Sequence, residues 1–151
     1  TNNNFKSSPT NSIFTLGNSD VNESEDIICY AWAPIQGYSK FGKYIGNGNA
    51  NGPFVYTGFK PAWVLVKVIT GSNRDWRVID NKRDTYNLST TELKPNSAAA
   101  ETTSGMQLDL LANGFKIRTS STSCNDTETY IYAAFAEQPF VSSEGVPCTA
   151  R

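Results

Sequence analysis

The amino-acid sequence predicts an all-β domain, an antiparallel β-sandwich of jelly-roll or concanavalin-like type, and three observations carry that expectation. Asn, Ser and Thr occur fifteen times each and Gly eleven times in 151 residues. This mixture suits short strands joined by turns, because Asn and Gly tolerate positive φ and Thr is β-branched. No stretch repeats its apolar residues every three to four positions, as a helix burying one face requires. About eight short runs with β character alternate instead with polar turn segments, the pattern of sandwiches and barrels. An apolar content of 38% and an aromatic content of 12% supply a core, and the length suits one domain.

The elements follow in order. Residues 1–11 are polar and Asn-rich, a flexible lead-in or linker, and residues 12–140 form the sandwich module. Ser12–Leu16 is a short strand, and Ile27–Ala33 is a second, ended by Pro34. Gln36–Ile45 sets Tyr38, Phe41 and Tyr44 between glycines and reads as a bent or bulged strand. In Gly46–Pro53, seven of eight residues are Gly, Asn or Pro, which makes it a loop. Phe54–Gly58 is a short strand, and the apolar Ala62–Ile69 belongs at the centre of a sheet. Gly71-Ser72-Asn73 turns the chain into Asp75–Asp80, where Trp76 and Val78 share one face and Arg77 and Ile79 the other. Asn81–Ser104 is a long polar excursion with room for one helical turn. Met106–Leu111 and Phe115–Thr119 flank Asn113-Gly114 and make the clearest hairpin. Ser120–Asp126 is a loop, Thr129–Ala136 a strong strand, and residues 141–151 a C-terminal tail. Trp32, Trp63 and Trp76 lie on these strands and read as core.

Two segments echo each other. Asn22–Ala33 aligns without gaps on Asn125–Ala136, with five of twelve positions identical and an offset of 103 residues. Each is an Asn-acid-hydroxyl-Glu turn feeding a strand that ends in Ala-aromatic-Ala. The offset matches one sandwich domain, so the first copy, within residues 12–36, closes a preceding repeat and the second closes this one. Tandem modules suit a stalk or fibre, in which added copies extend reach or valency.

Composition also excludes functions. Thirteen basic against fourteen acidic residues leave a formal charge of −1, so no field draws the chain to a phosphate backbone, and nucleic acid is not an expected partner. The chain has no histidine, which removes the commonest general base, the commonest metal ligand and every Ser-His or Cys-His pair. The expectation is a protein that is not an enzyme, with no catalytic residue, no metal and no cofactor. No apolar run approaches membrane-spanning length, and no signal-peptide pattern opens the chain, so a soluble protein without membrane insertion is expected. The start at Thr1 without Met reads as processing or as part of a longer chain. Cys29, Cys124 and Cys148 match no zinc spacing. Cys29 reads as a buried small hydrophobe, and one disulfide among the three stays open.

The polar clusters have structural and functional readings. Glu23/Glu25/Asp26 and Asp126/Glu128 place carboxylates two apart, as glycosidase pairs on a strand would be, but both precede strands, where acids cap backbone amides. Asp80 and Asp84 with Asn81 and Asn87 offer oxygen ligands without an EF-hand spacing, so a solvated loop is the simpler reading. The glycines of the 46–52 loop lack the Lys-Ser/Thr and helix of a phosphate cradle. Asn47, Asn49 and Asn51 with Tyr44 and Tyr56 combine amide forks and aromatic faces as sugar sites do, against the alternative of a glycine-rich connector. Asn22, Asn87 and Asn125 head Asn-x-Ser/Thr sequons that chance supplies in such a chain.

The run Gly37-Tyr38-Ser39-Lys40-Phe41-Gly42-Lys43-Tyr44-Ile45-Gly46-Asn47-Gly48, followed by Gly52–Val64, resembles a module of structural and tail-fibre-like virion proteins of marine tailed phages, notably those of cyanobacteria. Leu93-Lys94-Pro95-Asn96, Asp109–Lys116 and Tyr130–Phe140 continue the likeness, which covers roughly residues 13–140. It implies a bacteriophage structural protein on the virion surface, assembled in the host cytoplasm and extracellular after release. The implied role is a tail-fibre or appendage module that displays loops for host attachment through receptor binding to a surface glycan. Implied partners are other copies of the chain, as a homotrimer, and other virion proteins. Capsid decoration or a purely architectural role is the alternative, and a polysaccharide depolymerase is a third reading. The likeness carries no catalytic residue onto this chain, and residues 1–10 lack the shaft repeats of a fibre.

Overall fold

A computed structural model of the chain describes residue 10 and residues 12–17, 29–70 and 75–138. The chain divides into two compact units, residues 1–32 and 33–151. In the first, Thr10 closes a turn, its hydroxyl accepting the Ile13 N–H at 3.0 Å, and no strand forms over residues 12–17. Of the expected strand Ser12–Leu16 only Leu16 makes a β-bridge, while the Thr10 hydroxyl holds the Ser12 and Ile13 backbone locally. Tyr30 and Trp32 stack with centroids 6.1 Å apart. Residues 29–33 form no strand either; residues 27 and 28, with the acid cluster 23–26, lie outside the described residues, as do Cys148 and the tail from 139. Cys29, expected to be buried, is exposed, since without a pleated ladder the apolar alternation around it selects no buried face.

The second unit is all-β, seven strands in two antiparallel sheets, as the composition predicts. The strands are β1 (Ser39–Ile45), β2 (Phe54–Tyr56), β3 (Pro61–Val68), β4 (Trp76–Asp80), β5 (Leu108–Leu111), β6 (Gly114–Ile117) and β7 (Thr129–Ala136). One sheet has the order β1-β7-β3-β4 and the other β2-β6-β5. The apolar β3 is an inner strand, paired with both β7 and β4. The β5–β6 hairpin turns through Ala112-Asn113, with Leu111 opposite Gly114. The turn expected at residues 71–73 lies outside the described residues.

Alternation builds the core between the sheets. Tyr44, Val64, Val66, Val68, Ile79, Tyr130, Tyr132 and Ala134 project from the larger sheet, and Val55, Leu108, Leu110, Phe115 and Ile117 from the smaller. Tyr44 stacks on Tyr130 with centroids 5.0 Å apart, while Phe115 meets Tyr132 edge to face at 5.4 Å. Gly42 lies opposite Tyr132 in the ladder, and a Cβ on it would come within 2.9 Å of that ring. Trp63 and Trp76 are not in this core. They share the outer face of the larger sheet, half-buried, because inward Val64 and Val66 fix the neighbouring positions outward. There Phe135 meets Tyr38, Phe41 and Trp63 edge to face at 5.5–5.9 Å. Trp32, likewise expected in a core, is 60% exposed.

The excursion from 81 to 107 contains turns but no helical turn. It closes one side of the sandwich. Ser89 bridges to Leu108 on β5 and Leu93 to Val78 on β4, capping both sheet edges. Between them Glu92, 1% exposed, enters the interior and accepts from the Arg77 guanidinium and from the Met106 N–H. Arg77 shares a face with Ile79, as the alternation predicts, but that face is the inward one and not the outward one that a core Trp76 implied; a buried charge at that position requires this partner. Gly105 is obligatory, because a Cβ there would collide with the Glu92 carboxylate. Asp84 accepts the Thr90 and Thr91 N–H groups, both at 2.6 Å, and the Thr91 hydroxyl.

Two expectations follow for stability. Arg77→Leu strips the buried Glu92 carboxylate of its guanidinium and Glu92→Leu strips Arg77 of its buried carboxylate, leaving Asp75 at 3.7 Å; each costs about 3–5 kcal/mol, whereas the double variant costs less than their sum by at least about 1 kcal/mol in urea unfolding. For Asp84, burial pushes its carboxyl up, but the Thr91 and Thr90 hydrogen bonds outweigh it and leave the pKa lowered. A folded-state pKa below the unfolded value gives stability that is present above about pH 4 and lost as pH falls through the folded value. Asp84→Ala therefore costs about 1–3 kcal/mol at neutral pH, and the gap between variant and parent narrows in melts run below pH 4.

Candidate functional site

Opposite the closed side, β1 and β2 form the edges of the two sheets, and the 46–53 loop joins them. Two features stand out on this side, the loop and a cleft.

The loop is held by Asn125, fully buried in the β6–β7 connection. Its Oδ1 accepts the Asn47 N–H at 2.9 Å. Its Nδ2 faces the Asn47 Oδ1 at 3.1 Å and the Asn49 and Thr119 carbonyls, each at 2.7 Å. The Asn125 carbonyl accepts the Gly48 N–H at 2.8 Å. The asparagines then organise themselves: Asn47 Oδ1 accepts the Asn49 N–H, Asn49 Oδ1 accepts the Asn51 N–H, and Asn47 Nδ2 donates to the Asn51 carbonyl. These are successive Asx turns. Gly46 donates to the Glu128 carbonyl and Gly52 to that of Ile117. A Cβ on Gly46 would collide with the Asp126 carbonyl, and one on Gly52 would come within 2.8 Å of Ile117, so glycine is what lets the two loops touch. Residues 47–51 are exposed at the surface.

Two tyrosines anchor the opposing loop from below. Tyr44 donates to the Cys124 carbonyl at 2.7 Å. Tyr130 donates to the Thr122 carbonyl at 3.1 Å and accepts the Asp126 N–H at 2.9 Å. Burial raises the pKa of both phenols and pushes the Cys124 thiol up to about 12, so all three keep their protons at neutral pH. The grouping of Tyr44 with the loop amides as one exposed surface does not form, because Tyr44 points into the core.

Tyr56 lies at the far end of β2 from the loop, in a cleft of about 340 Å³ bounded by residues 34–40 and 56–59. The structure pairs it with Lys40, whose ammonium sits 5.0 Å from the ring centroid. Lys40 leaves β1 on the same face as Tyr44, at the end where the three-residue β2 does not cover the larger sheet. Neither Lys40 nor Asn125 was a sequence candidate. Asn125 had one signal, its place at the head of the echoed segment; Lys40 had none.

Among the carboxylates weighed for chemistry, Asp80, Asp84 and Asp126 have structural partners. Asp80 accepts the Lys82 and Arg83 N–H groups and pairs with the Arg83 guanidinium, and Asp84 is tied to Thr90 and Thr91. Asn87 brackets Leu110, donating to its carbonyl at 3.0 Å and accepting its N–H at 2.9 Å. Asp126 accepts the Thr127 N–H at 2.8 Å.

The buried amide gives a sharp expectation. Asn125→Asp keeps the shape but turns an oxygen toward the Asn49 and Thr119 carbonyls, so it costs at least as much as Asn125→Ala, about 2–3 kcal/mol from several lost hydrogen bonds. Lowering the pH restores part of the Asp variant's stability, because the protonated carboxyl regains one donor. Urea unfolding at neutral and acidic pH measures both, and a silent Asn125→Asp change would contradict the assignment.

No curated protein and no solved structure matches the chain. A family model described as a domain of unknown function, DUF7483, matches residues 1–139, and the chain belongs to that family.

Proposed function

We propose that this chain is a non-enzymatic structural module of a tailed-phage virion, carried on a tail fibre or similar appendage and presenting its β1–β2 side to a host-surface glycan. The virion assignment draws on the resemblance of residues 37–64, 93–96, 109–116 and 130–140. The observation that carries attachment is the state of the loop. Residues 47–51 are exposed, yet the N–H groups of residues 46–49, 51 and 52 are all hydrogen-bonded. A surface already ordered before contact loses little conformational entropy on binding. Each copy needs only weak affinity, because a homotrimer repeated on a particle multiplies it.

A second reading has its own observation. The outer face of the larger sheet carries the half-buried Trp63, Leu65, Trp76, Ile131 and Phe135, with Lys43 beside Ile131 and the Lys67 ammonium over Trp76, a partly apolar surface able to pack against another subunit. In that role the chain decorates or reinforces a capsid and recognises no host molecule.

A particle reconstruction separates the two. Attachment predicts the chain in a peripheral appendage with residues 47–51 facing solvent, and purified chain that competes with phage adsorption to host cells. A chain lying flat on the shell with residues 47–51 covered, and no competition, overturns attachment in favour of cementing.

A further inference from the structure

We propose that the β1–β2 cleft binds an anionic pyranose, with Tyr56 as the stacking platform and Lys40 as the partner of the sugar's charge; this rests on the attachment reading and assigns the ligand class to a specific place. Tyr56 is 58% exposed as a residue although it stands in a concave site, and a volume of about 340 Å³ suits one or two sugar units. An aromatic ring this exposed in a cleft offers a stacking surface to the C–H face of a pyranose, which on binding takes the place of the Lys40 ammonium over the ring.

Charge narrows the class. None of the residues lining the cleft is acidic, and Lys40 makes no ion pair among the described residues, in contrast to Lys60 with Glu137 and Lys94 with Asp75. Its ammonium rests instead over the Tyr56 ring, within the same cleft as the platform. The neighbouring hydroxyls already have acceptors: Ser39 donates to the Ala33 carbonyl at 3.3 Å and Thr57 to that of Phe59 at 2.5 Å. They shape the wall, and discrimination falls to Lys40. Gly58, at φ +86°, leaves the ring's flank clear, since a Cβ there would stand 3.6 Å from the Tyr56 hydroxyl. An ammonium is a point charge that accepts carboxylate or phosphate alike, so a uronic acid and a sugar phosphate share the required chemistry.

The test uses the full chain, with nuclear magnetic resonance and calorimetric titration by four probes: a β-1,4-linked mannuronate tetramer, the neutral mannotetraose of the same linkage, mannose 6-phosphate and mannose. At least one anionic probe is expected to bind about tenfold or more tightly than its neutral counterpart, more weakly at high salt, with shifts centred on residues 39–40 and 56–58. The tetramer binding alone assigns a carboxylated sugar, and the monophosphate binding alone a phosphorylated one. Lys40→Met is expected to lose about tenfold for the anionic probe at unchanged melting temperature, Lys40→Arg to retain binding, and Tyr56→Ala to abolish it. Equal binding of neutral and anionic probes, binding by neither anionic probe, or an unaffected Lys40→Met variant overturns the proposal. Lys40→Met is also assayed as an adsorption competitor. A chain that competes while these probe results fail leaves attachment standing without this ligand class, whereas a parent chain that does not compete removes the attachment reading itself.

Discussion

The buried side chain of Asn125 is the interaction on which the presented surface depends. It stands between the two connections that cross from sheet to sheet at one end of the sandwich, and its amide meets both with the correct polarity, accepting from Asn47 and donating to Asn49 and Thr119. A buried amide without such partners would be a large liability, and with them it specifies one loop arrangement over its competitors. Everything near it is fitted to that contact: glycine at 46 and 52 where the backbones approach, and the Tyr44 and Tyr130 hydroxyls holding the β6–β7 connection from the core side.

The two sides of the sandwich are built on opposite principles. On the β4/β5 side a long polar segment covers both sheet edges and drives a carboxylate inside to meet Arg77, so charge serves closure. On the β1/β2 side a short loop joins the edges, the second strand has only three residues, and the uncovered end of β1 brings Lys40 over Tyr56. Chain connectivity alone produces this asymmetry, and it places the accessible aromatic and cationic groups where the sheets are least covered.

Much of this was legible from the residues. The hairpin around Asn113-Gly114 could be read because its turn chemistry is local, and β3 because an inner strand needs apolar side chains on both faces. The pairing of Arg77 with Ile79 on one face followed from simple alternation, but which face turns inward did not. What could not be read depends on partners remote in sequence. The same apolar alternation that makes β7 a ladder gives no strand at Cys29–Ala33, since pairing and not pattern decides a strand. Trp63 and Trp76 looked like core because size and apolarity do not reveal which face a sheet turns inward. Tyr44 and Tyr56 looked alike beside the asparagine loop, yet the register sends one into the interior and the other to the cleft. Lys40 gained its meaning only from a ring sixteen positions away.

Native-state amide hydrogen exchange, residue by residue, tests most directly whether the presented loop is ordered before any ligand arrives. The account predicts that the N–H groups of Asn47, Gly48, Asn49, Asn51 and Gly52 exchange far more slowly than that of Ala50, with Gly48 and Gly52 approaching the protection of strand β7. Uniformly fast exchange from Gly46 to Gly52 alongside protected strands would show a loop without fixed structure, and would contradict the claim that Asn125 holds a preformed surface.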